Sequence, residues 1–284
     1  MAATLATAYL NGKFLPADEA RVSPLDRGFL FGDAVYEVIA VHDGRPLLLD
    51  AHVRRLALSL NALNIDNPHS DGEWATLVAD LNERNGGGDL AVYIQVTRGV
   101  DAGRNHVYPD DLVPTVFAMA TKLSATDYAT GVKAITLPDI RWRRCDIKAT
   151  ALLANVLARQ AAFDVGAIDA ILLLNGEVTE GAASSVLIIE NGELIRRPHG
   201  HEVLPGTTTD FVVDVARTAG RVCRDEAISE ARLRAADEIW LTSATKGIAP
   251  VVRLDDDEVG DGRPGSVWRE VAGQYEAQID GQPD

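Results

Sequence analysis

Short apolar runs broken by Asn-Gly and Asp-Gly pairs dominate the first fifty residues. Residues 8–10 and 13–15 flank Asn11-Gly12, and residues 35–41 and 46–49 flank Asp43-Gly44. Both dipeptides tolerate the left-handed conformation of a two-residue turn, so each pair of runs is predicted as a β-hairpin. The period then changes. Val53, Leu56, Leu60 and Leu63 recur at helical spacing, which predicts a helix with Asp50 as its N-cap. A second helix is predicted over 73–85, stopped by Gly86-Gly87-Gly88. Strands over 90–98 and 115–120 complete a first domain, residues 1–121.

Residues 122–130 carry little apolar content and read as a linker to a second domain, 131–284. There, strands are predicted over 131–137, 169–174 and 238–242, a hairpin at Asn191-Gly192, and helices over 149–165, 208–219 and 267–279. Hairpin-linked strands outnumber helices, which favours a two-domain α+β architecture over a doubly wound parallel sheet.

Composition narrows the class. A content of 46% apolar and 24% charged residues over 284 positions suits a globular protein with two cores of ordinary size. The net charge of −15 argues against nucleic acid as a partner, because phosphate-backbone affinity rests on Lys and Arg. Neither a membrane span nor a basic leader stands out, and the expected location is the cytoplasm. Two cysteines, Cys145 and Cys223, are too few for a disulfide scaffold and are expected reduced. His199-Gly200-His201 has no third ligand nearby, so no metal is expected. His52 is expected on a helix surface or in packing, and Trp142 and Trp240 are expected in packing.

The candidate chemistry starts at Lys148, in Arg141-Trp142-Arg143-Arg144-Cys145-Asp146-Ile147-Lys148, just before the predicted Ala/Leu helix. An amine at that boundary loses solvation, which lowers a lysine's pKa toward the range of a nucleophile and base. Taken alone, an ordinary surface lysine after a strand is the better reading. Further segments add to it: Asn175-Gly176-Glu177-Val178-Thr179-Glu180-Gly181-Ala182-Ala183-Ser184-Ser185 and Val203-Leu204-Pro205-Gly206-Thr207-Thr208-Thr209-Asp210. Asp26-Arg27-Gly28, Phe31-Gly32-Asp33-Ala34-Val35-Tyr36-Glu37-Val38, His52-Val53-Arg54-Arg55-Leu56, Val96-Thr97-Arg98-Gly99 and Thr242-Ser243-Ala244-Thr245 complete the set.

In this order the segments resemble the fold-type-IV pyridoxal-phosphate aminotransferases, and among them the D-amino acid aminotransferases. The resemblance covers nearly the whole chain. It implies a small N-terminal α/β sandwich domain, a larger C-terminal pseudobarrel domain that binds pyridoxal 5′-phosphate, and a homodimer that completes each site across its interface. Lys148 matches the lysine that forms the Schiff base and then moves the substrate proton, and Glu180 matches the carboxylate that faces the pyridine nitrogen. Arg55, Thr207, Thr208, Ser243 and Ala244 match the phosphate cradle, where threonine hydroxyls and a helix start favour an anion. Tyr36, Arg104 and His106 match a trap for the substrate carboxylate. Ala244 and the Ala182-Ala183 pair depart from the family's hydroxyl residues at those positions. Arg98 reads as structural.

Transamination between a D-amino acid (D-Ala, D-Glu) and a 2-keto acid (2-oxoglutarate, pyruvate) is the activity this implies. An (R)-selective amine transaminase, an L-branched-chain aminotransferase, a lyase of the aminodeoxychorismate type and a non-catalytic binding protein stay open as alternatives.

Overall fold

The computed structural model describes residues 3–124 and 126–280. In it four of the Asn-Gly and Asp-Gly pairs, at 11–12, 43–44, 175–176 and 191–192, take positive φ at both residues. Each closes an antiparallel hairpin, because that backbone twist matches the twist of the flanking strands.

The chain forms two compact units: the residues up to Ser124 together with Ile147–Ala151, and the remainder. Five residues expected in the C-terminal domain 131–284 thus pack with the first unit. The linker expected over 122–130 includes residue 125, outside the described residues, and strand structure persists through Lys122.

In the first unit the elements are β1 (Thr4–Leu10), β2 (Lys13–Pro16), α1 (Arg27–Phe31), β3 (Ala34–His42), β4 (Arg45–Pro46), α2 (Leu49–Ala62), α3 (Asp71–Arg84), β5 (Leu90–Thr97) and β6 (Thr115–Lys122). The strands form one sheet in the order β2-β1-β6-β5-β3-β4. Alternate residues Val35, Ile39 and Val41 of β3 join a core with Leu56 and Leu60 of α2 and Trp74, Val78 and Leu81 of α3. Asp50 lies in the first turn of α2 and does not cap it; Leu48, at φ 53°, occupies the cap position. The carboxylate still favours the helix, since its charge opposes the positive end of the dipole. Ser70 and Glu73 form a reciprocal capping box that starts α3 two residues before the predicted position.

The second unit holds β7 (Val132–Pro138), α4 (Leu153–Asp164), β8 (Asp169–Leu174), β9 (Glu177–Gly181), β10 (Ser185–Glu190), β11 (Glu193–Arg196), α5 (Thr207–Thr218), β12 (Cys223–Asp225), α6 (Glu230–Ala235), β13 (Glu238–Ser243), β14 (Gly247–Leu254), β15 (Asp257–Glu258) and α7 (Ser266–Asp280). Its sheet runs β12-β11-β10-β13-β14-β7-β8-β9, with β15 on β14, and curls into the half-barrel expected of the fold. Both faces are covered. Val186, Ile188, Ile239 and Leu241 join one core, while Leu187, Ile189 and Trp240 face α5 and α7 in another. Continuous apolar runs such as Val186-Leu187-Ile188-Ile189 follow from that double burial.

The helix predicted over 149–165 begins only at Leu153, because residues before it serve another element: Ala149 bridges Val35 of β3. Trp240 is fully buried as expected, whereas Trp142 is 45% exposed. Among the described residues no helix is long and apolar enough to cross a membrane.

Candidate active site

Lys148 is placed by its main chain. Its carbonyl accepts from the Tyr36 N–H (2.9 Å) and its N–H donates to Ser59 Oγ (3.2 Å), so β3 and α2 hold both backbone groups. The side chain carries Nζ over the Tyr36 ring, 4.3 Å from the centroid, and Tyr36 stacks in turn on Tyr93. Burial first, then the phenol of Tyr36, raises Tyr93 to about 12, so it stays protonated at neutral pH.

Beneath the core-facing side of β3 lies a charged cluster. Glu37 occupies the inward register of Val35 and Ile39 and is 1% exposed. Arg55 donates from Nε to Glu37 Oε1 and from Nη2 to Oε2, both at 2.8 Å, and His52 Nδ1 lies 2.7 Å from Oε2. Burial pushes the Glu37 carboxyl up, but the charge and hydrogen bonds of Arg55 and the bond from His52 outweigh it and hold it at about 2. An ionised Glu37 accepts only, so Nδ1 carries the His52 proton. Burial lowers the His52 pKa; Glu37 opposes this, and the charges of Arg55 and Lys148 add to it. His52 is therefore no surface residue: it is 2% exposed, one helical turn from Arg55.

Arg104 and His106 sit in the loop between β5 and β6, and both reach Phe31 at the end of α1. The Arg104 guanidinium lies 5.1 Å from the Phe31 ring centroid, and the His106 ring 5.4 Å from it. Arg98 is fully engaged elsewhere, pairing with both oxygens of Asp33 (2.8 and 2.9 Å) and donating to the carbonyls of Leu63 and Asn64.

In the second unit Glu180 is buried on β9. Arg141 pairs with its Oε1, and the Leu204 N–H donates to Oε2 (3.1 Å). Arg141 also pairs with Asp139 (2.7 Å), which accepts from Thr179 Oγ1 (2.7 Å). Although burial disfavours its charge, these carboxylates raise the Arg141 pKa, so Glu180 has a permanent cation beside it.

Thr207 and Thr208 open α5, whose N-cap is Gly206, without a side-chain cap. Thr209 Oγ1 and Thr242 Oγ1 lie 2.7 Å apart and bind this helix start to the end of β13, just before Ser243 and Ala244. A Cβ on Gly206 would come within 2.6 Å of Ser185 Oγ and 2.7 Å of Thr209 Oγ1, so any side chain there would have to displace these hydroxyls.

The model of the family described as Amino-transferase class IV matches residues 34–254 of this chain. The chain belongs to the class IV aminotransferases. A D-alanine aminotransferase of Staphylococcus aureus (strain MW2) is 36% identical over 275 residues, covering 96% of this chain and 97% of its own. A hypothetical aminotransferase from Mycobacterium tuberculosis, solved in a PLP-bound form, superposes with a TM-score of 0.85 at 26% identity, covering 96% of this chain and 99% of its own. The branched-chain amino acid aminotransferase from Escherichia coli reaches a TM-score of 0.87 at 23% identity, over 96% and 94% of the two chains, and shares the fold.

As a class IV aminotransferase the protein is a pyridoxal-phosphate enzyme of fold type IV. Its residues fit a phosphate: among the described residues the helix start at Gly206 has no side-chain cap and the buried Ser243 Oγ no hydrogen-bond partner.

Glu37, Asp139 and Arg141 are the polar residues that sequence reasoning passed over. A signal for Glu37 existed, because it breaks an inward-facing alternation of apolar residues on β3. Arg141 and Asp139 lie in an irregular segment after β7, where no periodicity marks which side chain turns inward.

Proposed function

We propose that this class IV aminotransferase exchanges the amino group of a D-amino acid, D-Ala or D-Glu, with a 2-keto acid such as 2-oxoglutarate or pyruvate. The observation that carries the reading is the pairing of Arg104 and His106 over one aromatic ring, two side chains suited to a carboxylate and held together on one loop. Near full-length identity to a protein named D-alanine aminotransferase supports it.

When bound, pyridoxal phosphate supplies an aldehyde carbon for the amine and a ring that accepts electrons. Lys148 provides the amine that holds it and then moves the proton at the substrate Cα. Glu180, paired with Arg141, would face the pyridine nitrogen and hold a proton there. Thr207, Thr208, Ser243 and Ala244 bind the phosphate through hydroxyl and backbone donors, with Arg55 as the charge. Arg104, His106 and Tyr36 grip the substrate carboxylate. Because the grip fixes which Cα hydrogen meets Lys148, its place sets the preference for D over L.

The working form we propose is a homodimer in the cytoplasm, with Arg104 and His106 serving the neighbouring copy's site. Both residues are exposed in the single chain, beside Val107 and Val113 at 75% and 79% exposure. On α4, Leu153, Val156, Leu157 and Phe163 expose another apolar stripe of the kind that a partner covers. Cys145 and Cys223 are free thiols, which suits a reducing compartment.

The test is a paired assay of D-alanine and L-leucine with 2-oxoglutarate, in wild type and Arg104→Ala. D-Alanine is expected to react and L-leucine not. Arg104→Ala should lower kcat/KM for D-alanine about tenfold or more, the loss of a charge-assisted contact. Efficient turnover of L-leucine would move the protein to the branched-chain class.

A further inference from the structure

The loop that carries Arg104 and His106 has no regular hydrogen-bonded structure of its own, yet its carbonyls are held from below by one buried side chain. Arg27 is 3% exposed and donates four times: from Nε to Asp33 Oδ2 (2.9 Å), from Nη1 to Asp101 Oδ2 (3.2 Å) and to the Asn105 carbonyl (2.6 Å), and from Nη2 to the His106 carbonyl (3.2 Å). Two of these four bonds reach the backbone of successive residues next to Arg104. Asp33 is fixed in turn by Arg98, and the Tyr108 ring lies 3.7 Å from the Arg98 guanidinium carbon, closing the loop's far side. Asp33 serves both arginines as an ion: burial raises its pKa, but Arg98 and Arg27 together bring it below the usual carboxylate value.

Phe31 stands between this anchor and the two exposed side chains. Arg27 lies 4.9 Å from its ring centroid, Arg104 5.1 Å, and the His106 ring 5.4 Å. An aromatic face attracts a guanidinium and orients it, whereas a branched aliphatic of similar size offers contact without orientation. Long arginine side chains lose much rotamer freedom when fixed, and an arginine already stacked has lost it before the substrate arrives.

We propose that Arg27 and Phe31 are positioning residues for the substrate-carboxylate grip: Arg27 fixes the loop backbone at Asn105 and His106, and Phe31 aligns the Arg104 and His106 side chains. This rests on the reading that Arg104 binds the substrate carboxylate. Neither Arg27 nor Phe31 touches substrate in this scheme. Their effect passes through Arg104 and His106 and is felt in substrate binding more than in the chemical step.

The experiment is a double-mutant cycle on the holoenzyme, with kcat and KM for D-alanine measured in wild type, Phe31→Leu, Arg104→Ala and the double variant. Phe31→Leu is expected to raise KM roughly three- to tenfold with kcat within about twofold, as for a lost orienting contact. The double variant should be clearly less impaired than the product of the two single effects, since one of the two side chains that Phe31 aligns is then gone. Phe31→Tyr, which keeps the ring, should restore KM. If the two single effects multiply in the double variant, Phe31 acts independently of Arg104 and the proposal fails. Should Phe31→Leu not fold, Arg27→Lys takes its place in the same cycle, with the same expectation and the same overturning result. An Arg104→Ala variant with unchanged KM and kcat sinks the underlying reading of the grip. A cycle that multiplies while Arg104→Ala is impaired overturns only the role of Arg27 and Phe31.

Discussion

Arg55 shows how one side chain can carry two demands. Matched to a phosphate contact, it also neutralises Glu37 inside the core of the first unit. Removing it does more than delete a cofactor contact, because it leaves a carboxylate buried without its cation. Breaking such a pair costs on the order of 3–5 kcal/mol, more than either an exposed salt bridge or a single hydrogen bond contributes. Arg55→Ala should therefore lose about that much stability in urea denaturation, and Arg55→Ala/Glu37→Gln should recover a good part of it. If the double variant is as unstable as the single, the lone charge is not the cause. The same comparison separates lost stability from lost affinity when either variant is titrated with pyridoxal phosphate. Cys145 makes no such double demand: burial raises its thiol to about 11 and it donates to the Trp142 carbonyl, so it has little thiolate at neutral pH.

Among the elements, the start of α5 has little room for change. Gly206→Ala keeps an allowed φ of −77°, so any penalty comes from contact and not from backbone strain. The new methyl would press on Ser185 Oγ and Thr209 Oγ1, and Thr209 is itself short, β-branched and bonded to Thr242. Overpacking of that kind costs roughly 1–3 kcal/mol. Thermal denaturation should show the loss, and equilibrium titration should show weaker binding of pyridoxal phosphate; wild-type values in both would mean that the strand and helix part at no cost. Local elements of this sort were legible in the sequence wherever chemistry and period agreed. Three hairpin turns were read from Asn-Gly or Asp-Gly, a fourth at Asn175-Gly176 carried the same signal unread, and α2 was marked by its apolar spacing. The α4 boundary was not legible, because Ala149 and Ala151 favour helix locally while a bridge to Val35 overrides that preference. For the same reason the motif residues could be named from sequence, but the pairing of Glu37 with His52 and of Asp139 with Arg141 could not. Their roles follow from tertiary contacts alone.

At the scale of the whole molecule, the buried charges set a response to acid. His52 has a folded pKa below its ordinary 6.5, so the unfolded chain binds its proton first and stability falls as pH drops through about 6.5. Glu37 has a folded pKa of about 2 against an ordinary 4.5, so its contribution is complete above 4.5 and is lost as pH falls from there toward 2. Both slopes have the same sign. Melting temperature should decline in two stages between pH 7 and 2, and His52→Asn should flatten the upper one; an unchanged upper stage in that variant would assign it to another group. A different consequence follows from Ile147–Ala151, the short segment that carries Lys148 and packs with the first unit although 22 residues of the second, 125–146, precede it. On the ribosome the first 124 residues emerge with β3 still lacking its bridge to Ala149, and Ser59 still lacking the Lys148 N–H that donates to it. The segment that carries the amine proposed for catalysis is thus the last piece of its own unit to arrive, and on that proposal a nascent chain halted before it can be largely folded yet chemically inert.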